Sequence, residues 1–132
     1  MTAGAAPVRF LTLEDLLLIA QVAKQGDPGI RDAGLLDSAA HRPQTTLFGE
    51  DAYPTLAEKA AALLESIVRN HALVDGNKRT GWLACCSFME LNGRRVEASD
   101  DAAFDVVIGI AEGRGDLADT AAALEGWSTP GP

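Results

Sequence analysis

Apolar positions recur at three- and four-residue steps along most of this chain, the period of helices that bury one face. Leu13, Leu16, Leu17 and Ala20 follow Thr12, which with Asp15 three residues on forms a near capping box, and the period continues past Lys24 to Gly26. This predicts a first helix over 13–25. Gly26-Asp27-Pro28-Gly29 is turn chemistry, and Leu35, Leu36, Ala39 and Ala40 then predict a short second helix ended by Pro43. The segment 43–54 holds Gly49 and Pro54 among Thr45, Thr46, Leu47, Phe48 and Tyr53, a pattern that leaves a loop and a short hairpin flap both open.

Thr55-Leu56-Ala57-Glu58 reads as a full capping box, and Leu56, Ala60, Leu63, Leu64, Ile67, Val68 and His71 fall on one stripe of the clearest amphipathic helix. Beyond the turn signal Asp75-Gly76, the segment 78–91 is apolar on nearly every side, as a central buried helix is. Asn92-Gly93 closes it and Arg94 to Ala98 reads as a short connection. Ser99 caps a helix carrying Phe104, Val107, Ile108 and Ala111. After the break Gly113-Arg114-Gly115, a last helix carries Leu117, Ala121 and Leu124 and leaves 127–132 as a flexible tail. The prediction is an all-α single domain over 1–132, a compact six-helix bundle around the 78–91 helix.

Composition narrows the function classes. Acidic residues outnumber basic ones by 19 to 11, and a net charge of -8 argues against coating the phosphates of DNA or RNA, although one local cationic cluster suffices for a small anion. Cys85 and Cys86 are adjacent in an apolar run, which fits buried free thiols in a reducing cytosol and neither a disulfide scaffold nor zinc-ligand spacing. The longest apolar run near the start, Leu16 to Ala20, follows Glu14 and Asp15 without a basic flank, so neither a signal peptide nor a membrane span is expected. The expected location is the cytoplasm.

The chemistry concentrates in Asn70 to Thr80, between two helices. Backbone N–H groups opening a helix lack internal partners and carry the positive dipole end, so the start of the 78–91 helix can receive phosphate. Gly76 allows close approach, Lys78 and Arg79 add cationic donors, and Asp75 offers the hard oxygen a phosphate-bound magnesium ion prefers. His71 can accept a hydroxyl proton near neutral pH. Each piece alone has an ordinary reading: Asp75-Gly76 as a turn, His71 as a hydrogen-bonded histidine on a core stripe. Two cations in a first turn oppose the helix dipole unless an anion sits there. No Walker A loop, protein-kinase glycine loop or EF-hand loop is present.

Taken whole, His71-x-Leu73-x-Asp75-Gly76-Asn77-Lys78-Arg79-Thr80 resembles the signature of the Fic/Doc family, in its Doc (death on curing) toxin branch. Gly29-Ile30-Arg31-Asp32-x-Gly34-Leu35-Leu36, Arg42-Pro43, Tyr53-Pro54, Glu58-Lys59-Ala60-Ala61 and Gly109-Ile110-Ala111-Glu112-Gly113 are similar to Doc-like chains as well. The resemblance implies a Fic-like fold with His71 as general base, Asp75 as the magnesium ligand, and Gly76, Asn77, Lys78 and Arg79 around the nucleotide phosphates. Leu73 departs from the family's common phenylalanine. Most Fic proteins read Gly-Asn-Gly-Arg with a second arginine three residues on, where this chain has Lys78 and Trp82.

Those departures favour the Doc type, which resembles a kinase that binds ATP reversed and transfers its γ-phosphoryl, over Fic-type AMP transfer. The implied outcome is phosphorylation of a Ser/Thr hydroxyl, a threonine of elongation factor Tu, with arrest of translation. No segment fits the self-inhibitory Ser/Thr-x-x-x-Glu-Gly/Asn helix, so a separate Phd-like antitoxin is the implied control. A non-catalytic module that only binds its antitoxin is the reading from outside the enzymes. Arg31 and Asp32 read as a local ion pair or a cap bracing the second helix.

Overall fold

The computed structural model describes residues 7–131, and its element order is α1 (Leu13–Lys24), α2 (Ala33–His41), a single 3-10 turn (Arg42–Gln44), β1 (Thr46–Leu47), β2 (Glu50–Asp51), α3 (Leu56–Asn70), α4 (Asn77–Leu91), β3 (Arg94–Val96), α5 (Asp100–Ala111), α6 (Leu117–Trp127) and β4 (Ser128–Pro130). The six expected helices form. At α1 the capping box is complete, with Asp15 N–H on Thr12 Oγ1 at 3.1 Å and Thr12 N–H on the Asp15 carboxylate at 2.9 Å. At Thr55 only the hydroxyl half forms, accepting the Glu58 N–H at 3.1 Å.

The core gathers Leu16, Leu36, Leu63, Leu64, Ile67, Phe88, Met89 and Leu124 with a ring of alanines. The helix expected at the centre, α4, shares that place with α3: ten of the fifteen α3 residues are buried, against six of fifteen in α4. Gly81 explains how closely they pack, because a Cβ there would stand 2.9 Å from Val68 Cγ2 and 3.2 Å from Leu64 Cδ1. Small side chains let the two helices cross in contact, and the remaining elements close around them.

The undecided segment 43–54 is a hairpin. Thr46 pairs with Asp51 and Leu47 with Glu50, and Phe48-Gly49 both take left-handed backbone at φ 53 and 83, as a two-residue turn of the primed type requires. Its base is fixed from α3. Lys59, only 3% exposed, donates to Asp51 Oδ2 at 3.1 Å and to the Tyr53 carbonyl, while Arg42 bonds Tyr53 Oη at 3.0 Å, Glu65 at 2.9 Å and Ser66 at 3.0 Å.

Two expectations need correction. The stretch 94–98 is more than a connection and, of the tail expected over 127–132, residues 127–130 are not loose: Trp127 ends α6, and Ser128–Pro130 pairs antiparallel with Arg94–Val96, while Pro132 lies outside the described residues. Arg94 clamps the pair through Ser128 Oγ at 2.9 Å and its carbonyl at 3.2 Å, and Trp127 meets Trp82 edge to face at 6.4 Å. Three-residue strands, one with two arginines and the other ending in proline, carry no alternation that could announce them.

Candidate functional site

The chain from α3 to α4 turns around six residues, and a second segment holds them in place. Helix α3 stops at His71, whose backbone is left-handed at φ 52, ψ 42. That turn takes His71 off the buried stripe on which its spacing placed it, and its side chain is exposed. Ala72 and Leu73 plunge into the core. The segment Pro28–Asp32 then binds the loop strand-fashion: Arg31 and Asp32 N–H on the Ala72 carbonyl at 2.8 and 3.0 Å, Val74 N–H on Gly29 O at 2.9 Å, Asp75 N–H on Pro28 O at 3.3 Å. Gly29 is obligatory at this approach, since a Cβ would lie 2.9 Å from Val74 Cγ2 at φ 68. Asp32 also caps α2 by accepting the Leu35 N–H at 3.0 Å, the bracing role read from the sequence.

Asn77 acts differently from expectation. Its Oδ1 accepts the Leu73 N–H at 3.0 Å and its Nδ2 donates to the Leu73 carbonyl at 2.9 Å, so the side chain clips the loop shut instead of pointing at a ligand. Gly76 sits at the helix start with φ 84, a conformation costing another residue about 1 kcal/mol. The Gly76 N–H turns back to Asp75 Oδ1 at 2.8 Å. Beneath it Thr80 is fully buried, and its hydroxyl has no hydrogen-bond partner among the described residues.

The start of α4 is chemically unlike the other five. Thr12, Asp32, Thr55, Ser99 and Asp116 cap α1, α2, α3, α5 and α6 through side-chain oxygens, whereas α4 has no side-chain cap and no acidic residue in its first turn. Among the described residues its opening N–H groups have no side-chain acceptor, and Lys78 and Arg79 beside them are exposed, an arrangement chemically suited to an anion. Arg79 spends one arm on structure, donating to the Ala23 carbonyl at the end of α1 at 3.1 Å. Trp82 and α5 residues Ala103, Phe104 and Val107 continue from the two cations as the walls of a cleft of about 450 Å³.

Asp75 is held by a residue the sequence reading passed over. Lys24, 51 residues away at the end of α1, donates its ammonium to Asp75 Oδ2. That ammonium, and next the Gly76 N–H, keep the Asp75 carboxyl below the usual carboxylate range, so it is charged at neutral pH. The pair is half-exposed. Among the described residues no group of three or more His, Cys, Asp and Glu gathers to hold a metal. The donor set nevertheless fits a magnesium ion of the nucleotide kind: one exposed carboxylate that already carries a cation, with phosphate oxygens and water to complete the shell. The two cysteines are free thiols, with burial pushing the Cys86 thiol up to about 11 and the Cys85 thiol well above its usual range.

An exposed histidine, an ionised carboxylate and an uncapped cationic helix start are brought together on one short clipped loop. The Fic/DOC family model matches residues 10–89, more than half of the chain and including the whole loop, and the chain belongs to the Fic/DOC family. It is 48% identical over 121 residues to the Toxin Doc of Mycolicibacterium smegmatis, a match covering 90% of this chain and 93% of that protein. Over 125 residues it is 30% identical to the Protein kinase doc of Escherichia phage P1, covering 90% and 98% respectively. Both relatives carry the Doc name, the branch that the sequence resembles. No helix among the described residues is long and apolar enough to cross a membrane.

Proposed function

We propose that this chain is the toxin of a toxin–antitoxin pair and, as a single domain in the cytoplasm, transfers the γ-phosphoryl of ATP to a protein hydroxyl. The observation that carries this reading is the start of α4: among the described residues the one helix without a side-chain cap, bearing Lys78 and Arg79, across a short loop from the exposed His71. The names of the relatives, one a toxin and one a protein kinase, support it.

In this mechanism the backbone of Gly76 to Arg79 with Lys78 and the free arm of Arg79 orient the phosphates. His71 takes the proton of the acceptor hydroxyl as its oxygen bonds to the γ-phosphorus; the bond from that phosphorus to the bridging oxygen breaks and ADP leaves. A magnesium ion held by Asp75 would supply neutralisation of the charge spread over those phosphates. Asn77 keeps the loop in register through Leu73 rather than touching the nucleotide. Lys78, standing where most Fic proteins have glycine, supports the γ over the α position. The acceptor we assign is a threonine of elongation factor Tu, the consequence arrest of translation, and the control a Phd-like antitoxin.

The test incubates the purified chain with magnesium and elongation factor Tu, in parallel with γ-labelled and α-labelled ATP, and with His71→Ala as control. Label from the γ position alone, lost in His71→Ala, is the expected result. Label from the α position replaces this reading with AMP transfer. No label from either, with antitoxin binding intact, replaces it with a non-catalytic binding module.

A further inference from the structure

The cation on Asp75 is part of the chain itself. Lys24 lies in the last turn of α1, where a positive charge complements the helix dipole, and its backbone is anchored beside the loop because Arg79 holds the neighbouring Ala23 carbonyl. Its side chain is 38% exposed and that of Asp75 65%, so the ammonium can swing into water and a hydrated ion can reach the carboxylate. Both Asp75 oxygens are engaged, Oδ1 by the Gly76 N–H and Oδ2 by Lys24. A divalent ion arriving at Oδ2 therefore meets an ammonium already in contact with it, and two cations cannot share one exposed oxygen without repulsion.

We propose that Lys24 is the resident counter-ion of Asp75 and competes directly with the divalent cation for its Oδ2. This rests on the reading of Asp75 as the metal ligand. In the resting protein Lys24 offsets the charge of the carboxylate and joins the loop to α1. Metal alone binds poorly, because it must displace the ammonium with only one protein carboxylate to gain, whereas metal that arrives on nucleotide phosphates brings its own oxygens. The released ammonium then lies beside the phosphate site.

Mn2+ without nucleotide is the probe. Its EPR signal counts the free ion during titration of the full chain in wild type, Lys24→Met, Lys24→Gln, Asp75→Asn and the Lys24→Met/Asp75→Asn double variant, each checked for folding by circular dichroism. The double variant gives the baseline of adventitious binding to the acidic surface. Lys24→Met and Lys24→Gln are expected to bind Mn2+ roughly fivefold tighter than wild type, the size set by a half-exposed ion pair and the lost repulsion. Binding no tighter than wild type in both, with Asp75→Asn still lowering it, overturns the competition and leaves Asp75 as a ligand. Binding that Asp75→Asn leaves unchanged in either background, or no binding above baseline in any variant, overturns the ligand assignment and the competition with it.

Discussion

Lys59 reaches from α3 to Asp51 of the hairpin, and Lys24 reaches from α1 to Asp75 of the loop before α4. Each is a lysine–aspartate pair that ties a connection to a helix. Lys59 is buried and also donates to the Tyr53 carbonyl, beside an Arg42 cluster whose partners are Tyr53, Glu65 and Ser66. Burying an ammonium is tolerable only with its donors satisfied, and the outcome is a rivet. Lys24 has one partner, faces water, and sits beside a helix start that no side chain caps. The Lys59 pair is closed on further partners in the interior, whereas the Lys24 pair stands open to water at the surface.

That contrast can be broken by substitution, and the largest effect belongs to the open side. His71→Ala should lower phosphoryl transfer by roughly 10²–10⁴-fold with thermal unfolding unchanged, since the imidazole is exposed. A melt that falls together with activity would make His71 structural. Next comes the closed side: Lys59→Ala strands the Tyr53 carbonyl and loosens the hairpin, at about 1–3 kcal/mol in denaturant unfolding, whereas Lys24→Ala should stay within about 0.5 kcal/mol. Equal costs for the two would erase the distinction. Gly81→Ala pushes a methyl into Val68 and should cost about 1–3 kcal/mol. At the loop, Asn77→Ala should speed hydrogen exchange of the Leu73 amide while amides in the middle of α3 keep their protection.

The smallest effect is one of pH. The folded Asp75 carboxyl lies below its unfolded value of about 3.9, so its pair with Lys24 contributes fully above that value and is lost as pH falls through the folded one. The slight difference in melting between wild type and Asp75→Asn should therefore vanish in strong acid. A difference that persists there would mean that the pair contributes nothing through its charge.

The helices were legible because their signals are local: a hydroxyl at the cap, an acid three residues on, an apolar stripe. The candidate loop stood out for the same reason, since His71, Asp75, Gly76, Lys78 and Arg79 lie within nine consecutive residues. What escaped was the long-range part. Lys24 meets Asp75 across 51 residues, and Arg94 meets Ser128 across 34, through side chains whose types are ordinary at any surface. His71 was placed on the buried stripe because a helical wheel assumes that the helix continues, and one left-handed residue cancels that assumption. Asn77 looked like a ligand because spacing does not reveal that both ends of its amide are spent on Leu73.

The most direct test of the central claim follows backbone amides by NMR as magnesium and a non-hydrolysable ATP analogue are added to the full chain. The N–H groups of Asn77, Lys78 and Arg79, opening the uncapped α4, should move most, while the capped Ala102 and Asp119 amides at the starts of α5 and α6 stay in place. Shifts spread equally over capped and uncapped helix starts, or absent from 77–79, would contradict the assignment of this loop as the phosphate site.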